Sequence, residues 1–449
     1  LGLVSSTTLV MGSMIGSGIF LTSADIARQV QSPGLLILTW VLAAVLTIIA
    51  ALSYGELAAA MPHAGGQYVY LREAFGPLSG FLYGWTLFLV IQTGTIAAVA
   101  VAFAKFSGVF FPWISPTNRL VEIGSFGINA QQVVGIGVLL LLSAVNCLGI
   151  RTGAMVQNVF TFAKTAAVLG LVALGFALGG NSQALEQNFT DFWKGADCDF
   201  ATLRLVAVAM VGSLFSADAW NNITFTAGEV KNPRRNLPLS LAVGSGVVLT
   251  LYVLTNFVYL RWLPLDPGIQ HAAEDRVGSA AMQAMLGSGG GRLMALAIMV
   301  STFGCMNGLI LAGARVYYAM ARDGLFFRSV GEVHPRYHTP VVSLAVQCGW
   351  ACLLTLSGTY SDLLDYVIFA VLLFYMLTIA GLFVLRRTRP EMDRPYLAVG
   401  YPWAPALYIG IAGFIEVMLL LYKPGYTWPG LILVMLGVPV FYLWRRRGA

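Results

Sequence analysis

Apolar residues run along this chain in long blocks separated by short polar turns. A helix needs about 20 apolar residues to cross a hydrocarbon layer of about 30 Å. Five blocks in the first half predict spans, at residues 3–26, 35–59, 78–103, 133–150 and 159–178. Seven more follow, at 205–227, 239–260, 293–320, 341–356, 363–385, 404–421 and 431–444. The expectation is an all-α integral membrane protein of about twelve transmembrane helices. Composition agrees, since 58% of the 449 residues are hydrophobic and 10% are charged, where a soluble domain carries about 25% charged residues. No block of loop sequence is long enough for an independent soluble core; the longest connections are 105–130, 180–204 and 262–292.

Two blocks are interrupted. The first reads Met11-Gly-Ser-Met-Ile-Gly-Ser-Gly-Ile-Phe20 and the second Gly212-Ser-Leu-Phe-Ser-Ala-Asp-Ala-Trp220. Each glycine costs a helix about 1 kcal/mol, and a carboxylate such as Asp218 near a bilayer midplane costs roughly 2.5–3.5 kcal/mol on insertion scales. Backbone that leaves the helix inside a membrane is tolerated only where protein buries it or where it lines a watery cavity. Two breaks five spans apart are the mark of a transporter built from inverted repeats, with its site at the breaks. Residues 1–180 and 200–388 are therefore expected to form two five-helix repeats, whose first and sixth helices are broken. Residues 400–449 then add two further helices.

Charge sets an expected orientation. Sixteen of the 26 Lys and Arg residues fall on one side if both termini are cytoplasmic, nine fall opposite, and Lys164 stays within the membrane. Cytoplasmic loops carry the excess of basic residues. The net charge of +6 does not indicate nucleic acid, because the basic residues form no patch or stripe. The chain opens on Leu1 directly inside an apolar block, so residues upstream are expected and no signal peptide is read. Cys147, Cys305, Cys348 and Cys352 fall inside spans and Cys198 in an outer loop, which provides no framework of disulfides. His63, His271, His334 and His338 form no His-Glu-x-x-His. No nucleophile elbow or phosphate-binding loop appears, so an enzyme is not expected.

Four further motifs carry a family resemblance. Gly16-Ser-Gly-Ile-Phe20, Pro62-His-Ala-Gly-Gly-Gln-Tyr-Val-Tyr-Leu71, Glu229-Val-Lys-Asn-Pro-Arg-Arg-Asn-Leu-Pro238 and Arg389-Pro-Glu-Met-Asp-Arg-Pro395 resemble the L-type amino acid transporters. These belong to the amino acid–polyamine–organocation superfamily, with the LeuT-like fold of five-plus-five inverted repeats. The resemblance covers nearly the whole chain. It implies sodium-independent transport of L-amino acids, commonly by obligatory exchange, with no cofactor and no metal. Animal members link to a heavy-chain glycoprotein through a cysteine in the loop after the third span. Residues 105–130 contain no cysteine, so no disulfide-linked heavy chain is expected and the chain resembles a free-standing prokaryotic member in the cell membrane.

An amino acid zwitterion brings a carboxylate and an ammonium, each needing partners when desolvated. At the first break, the expected substrate-binding residues are Met14, Ile15, Gly16, Ser17, Gly18 and Ile19, with N–H groups at the start of a half-helix attracting the carboxylate. Tight helix packing is the competing explanation, since Gly12-x-x-x-Gly16 and Gly80-x-x-x-Gly84 fit the small-residue pattern. At the second break, the expected set is Phe215, Ser216, Asp218 and Asn221, whose carbonyls would accept from the ammonium. Asp218 reads as an ammonium acceptor, a partner for a cation or a proton carrier, weighed evenly against a cap for its own half-helix. Phe215 resembles the aromatic that closes over substrate, against an ordinary core aromatic; Asn221 either binds substrate or ties helices together. Ala219 stands where the family frequently has glycine. Lys164 resembles a lysine that sits between the first and eighth helices, where sodium-coupled relatives hold a cation, with Ser301 as its oxygen partner. Snorkelling to the membrane surface is the alternative for Lys164. Neutral substrates are favoured because no further charged cluster is evident, and proton-coupled symport is the alternative to exchange. A channel is a weaker alternative, because repeated broken helices favour alternating access.

Overall fold

A computed structural model of the protein describes residues 1–123, 126–197, 199–337, 339–357 and 360–447, so Cys198 and His338 lie outside the described residues. The first apolar block divides into α1 (Leu3–Met14) and α2 (Gly18–Val30), followed by α3 (Pro33–Ala60). A short helix α4 (Gln67–Phe75) leads into α5 (Pro77–Thr86), which continues through a π-helical turn at Leu87–Ile91 into α6 (Gln92–Ser107). A hairpin of β1 (Arg119–Ile123) and β2 (Phe126–Asn129) precedes α7 (Ala130–Cys147), α8 (Ile150–Ala177) and the short α9 (Ser182–Phe189). The sixth block gives α10 (Phe200–Ser216) and a single turn, α11 (Asn222–Phe225). The chain then runs through α12 (Pro233–Trp262), α13 (Val277–Arg322), α14 (Val341–Ser357), α15 (Tyr360–Thr388), α16 (Trp403–Tyr422) and α17 (Pro424–Arg447).

Ten helical runs among the described residues are long and apolar enough to cross a bilayer, and the shorter apolar α10 and α14 occupy the other two expected places. Local chemistry explains several starts. Ser32 accepts from Leu35 N ahead of Pro33 at the first helical position of α3, where a missing N–H costs nothing. Asn129 and Gln132 form a reciprocal capping box at α7, satisfying two otherwise orphaned donors. Asp199 accepts from Thr202 N at 2.8 Å to start α10.

Several helix starts differ from the sequence expectation. The helix expected at 159–178 begins at Ile150, and the one expected at 293–320 begins at Val277. The latter is two helical pieces meeting at Gly287, whose φ of +74° suits glycine, and the glycine-rich stretch 287–291, with Ser288 within it, hid its first piece from a hydrophobicity count. The span at 205–227 is helical to Ser216 and again at Asn222–Phe225, in agreement with the break expected there. The hairpin, α4 and α9 lie in connections where no element was expected.

Packing brings α3 against α12, α6 against α13, α7 against α14, and α2 against α10. At one end of the bundle the family-like motifs are tied to one another. Buried Glu56 of α3 receives Arg386 at 2.6 Å and lies 3.5 Å from Arg394. Glu73 pairs with Arg389 at 2.7 Å, Arg234 with Asp393 at 2.7 Å, and Arg315 with Glu229 at 2.7 Å. Arg72 also bonds Asp323. At the opposite end Arg28 pairs with Asp275 at 2.7 Å and Lys423 with Asp365 at 2.8 Å.

Candidate functional site

The first break builds the centre of the molecule. A helix end leaves its last carbonyls without intrahelical partners, and here five consecutive carbonyls receive side-chain donors from three other helices. Lys164 Nζ of α8 donates to the Gly12 carbonyl. Cys305 Sγ of α13 donates to Ser13 O at 3.2 Å, and Tyr252 of α12 to Met14 O at 2.9 Å. Ser301 Oγ of α13 reaches both Ile15 O and Gly16 O at 3.2 Å. Farther on, Tyr259 donates to Ile19 O at 3.2 Å. Ser301, expected as an oxygen partner for Lys164, thus meets the break at different carbonyls, because both side chains are donors and the unwound backbone supplies the acceptors. Lys164 is fully buried, so its ammonium ends on α1 and does not reach the membrane surface.

Met14, Ile15, Ser17 and Ile19 are all buried, and Ile15 turns extended where α1 stops. A Cβ added at Gly18 would lie 2.7 Å from Ser216 Cβ and 2.8 Å from Ser216 Cα. One added at Gly16 would lie 3.0 Å from Cys305 Sγ. These glycines therefore permit close approach, and at Gly18 the element approached is the second break itself. Thr22 of α2 and Ser216 also share a hydrogen bond of 3.0 Å.

The second break spans Ala217 to Asn221. Ala219 holds φ +65°, a left-handed conformation that an L-residue with a Cβ adopts at a cost of roughly 1–2 kcal/mol. That explains why glycine suits this place. Asp218 Oδ1 accepts from Tyr375 of α15 at 2.6 Å. Asn221 Nδ2 donates to Gln67 Oε1 at 3.0 Å, and Gln67 Nε2 donates to Thr378 Oγ1 at 3.0 Å. Gln67 gets there because Gly66, at φ +46°, lets the chain press on α11; a Cβ at Gly66 would lie 2.7 Å from the Thr224 carbonyl carbon. Phe215 is buried in the last turn of α10. Trp220, Tyr54 and Tyr375 form an aromatic cluster with centroids 4.8–5.6 Å apart.

Besides a cavity behind the second break lined by Thr47, Ala217, Asp218, Trp220 and Tyr408, two others flank the breaks. One lies beside α4 and α11 and is lined by Gln67, Gln92, Thr95, Asp218, Asn221 and Asn222, with aromatic walls from Tyr83, Phe225, Phe374 and Tyr375. The other lies toward the opposite end, where Thr22, Asp25, Gly212, Asp275, Asp365 and Lys423 line it. Of the residues singled out from sequence, Asp218 and Asn221 line the cavity beside α4 and α11, Gly18 and Ser216 bring the two breaks into contact, and Gly16 and Ser301 tie the first break to α13. Sequence reasoning missed Tyr252, Cys305, Tyr375, Gln67 and Asn222. For Gln67 a signal existed, directly after the Gly-Gly of the second motif, and for Asn222 another, directly after Asn221 at the second break; Tyr252, Cys305 and Tyr375 sit within ordinary apolar helix sequence.

Comparison with known proteins matches this sequence to a family. The amino acid permease model covers residues 1–441. The Asc-type amino acid transporter 1 of Mus musculus is 30% identical over 100% of this chain and 82% of its own length. The serine/threonine exchanger SteT of Bacillus subtilis is 29% identical over 100% of this chain and 97% of its own length. The b(0,+)-type amino acid transporter 1 of Homo sapiens is 29% identical over 98% of this chain and 87% of its own length. With two helices broken face to face at the centre of an all-helical membrane bundle, and a family match along almost its whole length, the chain belongs to the amino acid permease family, whose members are transporters and not enzymes.

Proposed function

We propose that this protein exchanges neutral L-amino acids across a cell membrane, without sodium, by exposing the site between its two breaks alternately to either side. The observation that carries this reading is the contact of the breaks at Gly18 and Ser216. It brings the N-terminus of α2, favourable to a carboxylate, beside the unwound backbone after α10, whose carbonyls suit an ammonium. The substrate-contacting set is then Met14 to Ile19 together with Phe215, Ser216, Asp218 and Asn221, with Phe215 as the gate.

Two five-helix repeats, 1–180 and 200–388, with 400–449 added, fit the packing. Among the pairs in contact, α3 with α12, α6 with α13, α7 with α14 and α2 with α10 join spans five apart, beside others such as α8 with α13 and α1 with α12 that do not. Equivalent elements meet in this way around a shared two-fold axis. Sodium independence is supported by the carbonyls of the first break, which already have donors, one of them the Lys164 ammonium. The excess of Lys and Arg at the motif-bearing end supports placing that end and both termini in the cytoplasm. A free-standing prokaryotic protein is supported by the absence of cysteine from 105–130 and by the near-complete overlap with the Bacillus subtilis relative.

A second reading, proton-coupled symport, is favoured by the burial of Lys164 and of Asp218 beside the cavity. Proteoliposomes separate the two. Exchange predicts uptake only when amino acid is trapped inside, unchanged when choline replaces sodium and insensitive to an imposed pH gradient. Uptake into empty vesicles driven by an inward proton gradient would establish symport in its place, and sodium-driven uptake would overturn both.

A further inference from the structure

We infer that Gln157 is a positioning residue of the transport cycle: its buried amide, left unpaired against α1, loosens that half-helix from α8 and sets the balance between the two end states. This rests on the alternating-access reading above and goes beyond it by naming a residue outside the substrate-contacting set. The chain enters α1 at the motif-bearing end, where Lys231 N donates to Leu1 O at 2.8 Å, and the first break separates α1 from α2. Exposing the site toward that end therefore requires α1 to part from its neighbours.

Residues 157, 161 and 164 of α8 recur at the i, i+4, i+7 spacing of one helix face, and that face meets α1. Thr161 Oγ1 donates to Thr8 O at 3.3 Å, Asn158 Oδ1 accepts from Thr8 Oγ1 at 2.9 Å, and Lys164 Nζ donates to the Gly12 carbonyl. These bonds dock α1. Gln157 sits among them and adds none. It is 2% exposed, and its Nε2 has no hydrogen-bond partner among the described residues. The amide is wedged between two glycines: a Cβ added at Gly12 would collide with it, and one added at Gly308 of α13 would lie 2.9 Å away. Its other end belongs to the surrounding helices. Asn307 Nδ2 of α13 donates to Gln157 Oε1 at 3.4 Å, and Asn146 Nδ2 of α7 donates to Asn307 Oδ1 at 2.9 Å. When α1 departs, Gln157 stays with α13 and α7.

A buried donor without an acceptor carries the full cost of its lost hydration. That cost lasts only while α1 covers the amide, because water reaches Nε2 once α1 swings clear. A state penalised in this way is depopulated relative to its alternative. Lys164, Thr161 and Asn158 thus hold α1 on, and Gln157 pushes it off, so that neither end state becomes a trap.

Half-saturating amino acid concentrations on the two faces of proteoliposomes, measured with the maximal exchange rate, test this. Gln157→Met is nearly isosteric and has no amide to hydrate, so it should stabilise docked α1. The ratio of half-saturating concentrations, motif-bearing face over opposite face, should then rise roughly tenfold, and the maximal rate should fall. Gln157→Glu keeps the shape and costs more to bury, so it should lower the same ratio, as Lys164→Ala does. A loss of packing alone would lower thermal stability and leave the ratio in place. An unchanged ratio in both variants, or a shift of the same sign in both, overturns the inference while exchange by the original protein stands. If Gln157→Met does not fold, the sign of the shift in Gln157→Glu decides. Absence of exchange by the original protein overturns the transport reading itself.

Discussion

A glycine and a lysine carry the sharpest residue-level consequences. Gly18 has no room for a Cβ against Ser216, and overpacking of this kind costs about 1–3 kcal/mol. Gly18→Ala is therefore expected to lower thermal stability in detergent and to lose exchange together with it. Gly170 of α8, with nothing within 4 Å of an added Cβ, gives the control: Gly170→Ala should retain both. A Gly18→Ala protein as stable as the original would show that α2 and α10 yield at this contact. Lys164 acts on conformation, because its ammonium ends on the Gly12 carbonyl of α1. Charge-assisted bonds of this kind are worth about 1.5–3 kcal/mol, so Lys164→Ala should slow exchange roughly tenfold or more. Apparent affinity should shift more on one membrane face than on the other. A variant indistinguishable from the original would reduce the lysine to a passive role.

Among elements, α4 and the segment after α15 show how the polar motifs are used. Glu56, with 1% of its side chain exposed, holds both Arg386 and Arg394, and losing one partner of a buried pair is far more damaging than the pair is stabilising. Glu73 is more open. Partial burial raises its pKa, but hydrogen bonds from Arg389 and Arg72, with their charges, outweigh that and leave it below the ordinary value of 4.5. A carboxyl whose folded pKa is depressed stabilises the fold above its unfolded pKa, and that stabilisation is lost as pH falls through the folded value. The difference in melting temperature between the original and Glu73→Gln should then be constant from pH 7 down to about 4.5, near the ordinary carboxylate value, and shrink below it. A difference that instead grows on acidification would mean Glu73 is not held by the arginines. In the sequence α4 was invisible as a helix, since its nine residues are too few for a periodic signal. Its motif was plain, and the reason for the motif is that Gly66 and Gln67 must reach α11.

At the scale of the whole molecule, the distribution of Lys and Arg predicts one orientation. In a background with the five native cysteines replaced, Glu391→Cys should react with an impermeant maleimide only from the cytoplasmic side, and Glu186→Cys only from outside. The reverse pattern would overturn the orientation, and labelling of both from one side would overturn the span count between them. The contact of like-placed helices, α3 with α12 and α6 with α13, could not be read from the chain, because the two halves share no residue-level similarity beyond their breaks.

The sequence alone determined the class of fold, the approximate spans, the two interruptions and the family, because hydrophobic length, glycine clustering and a buried aspartate are local properties with few explanations inside a membrane. It named Gly16, Gly18, Asp218 and Lys164 for the same reason. Only the tertiary structure decided what each of them touches. Which side chains satisfy the five carbonyls of the first break depends on α8, α12 and α13 arriving from more than a hundred residues away. That Asp218 meets Tyr375, and that Asn222 Nδ2 finds no partner among the described residues, follows from how the helices pack. Local patterns record where a backbone must break, but partners for the exposed groups come from other helices, and no local pattern encodes that choice.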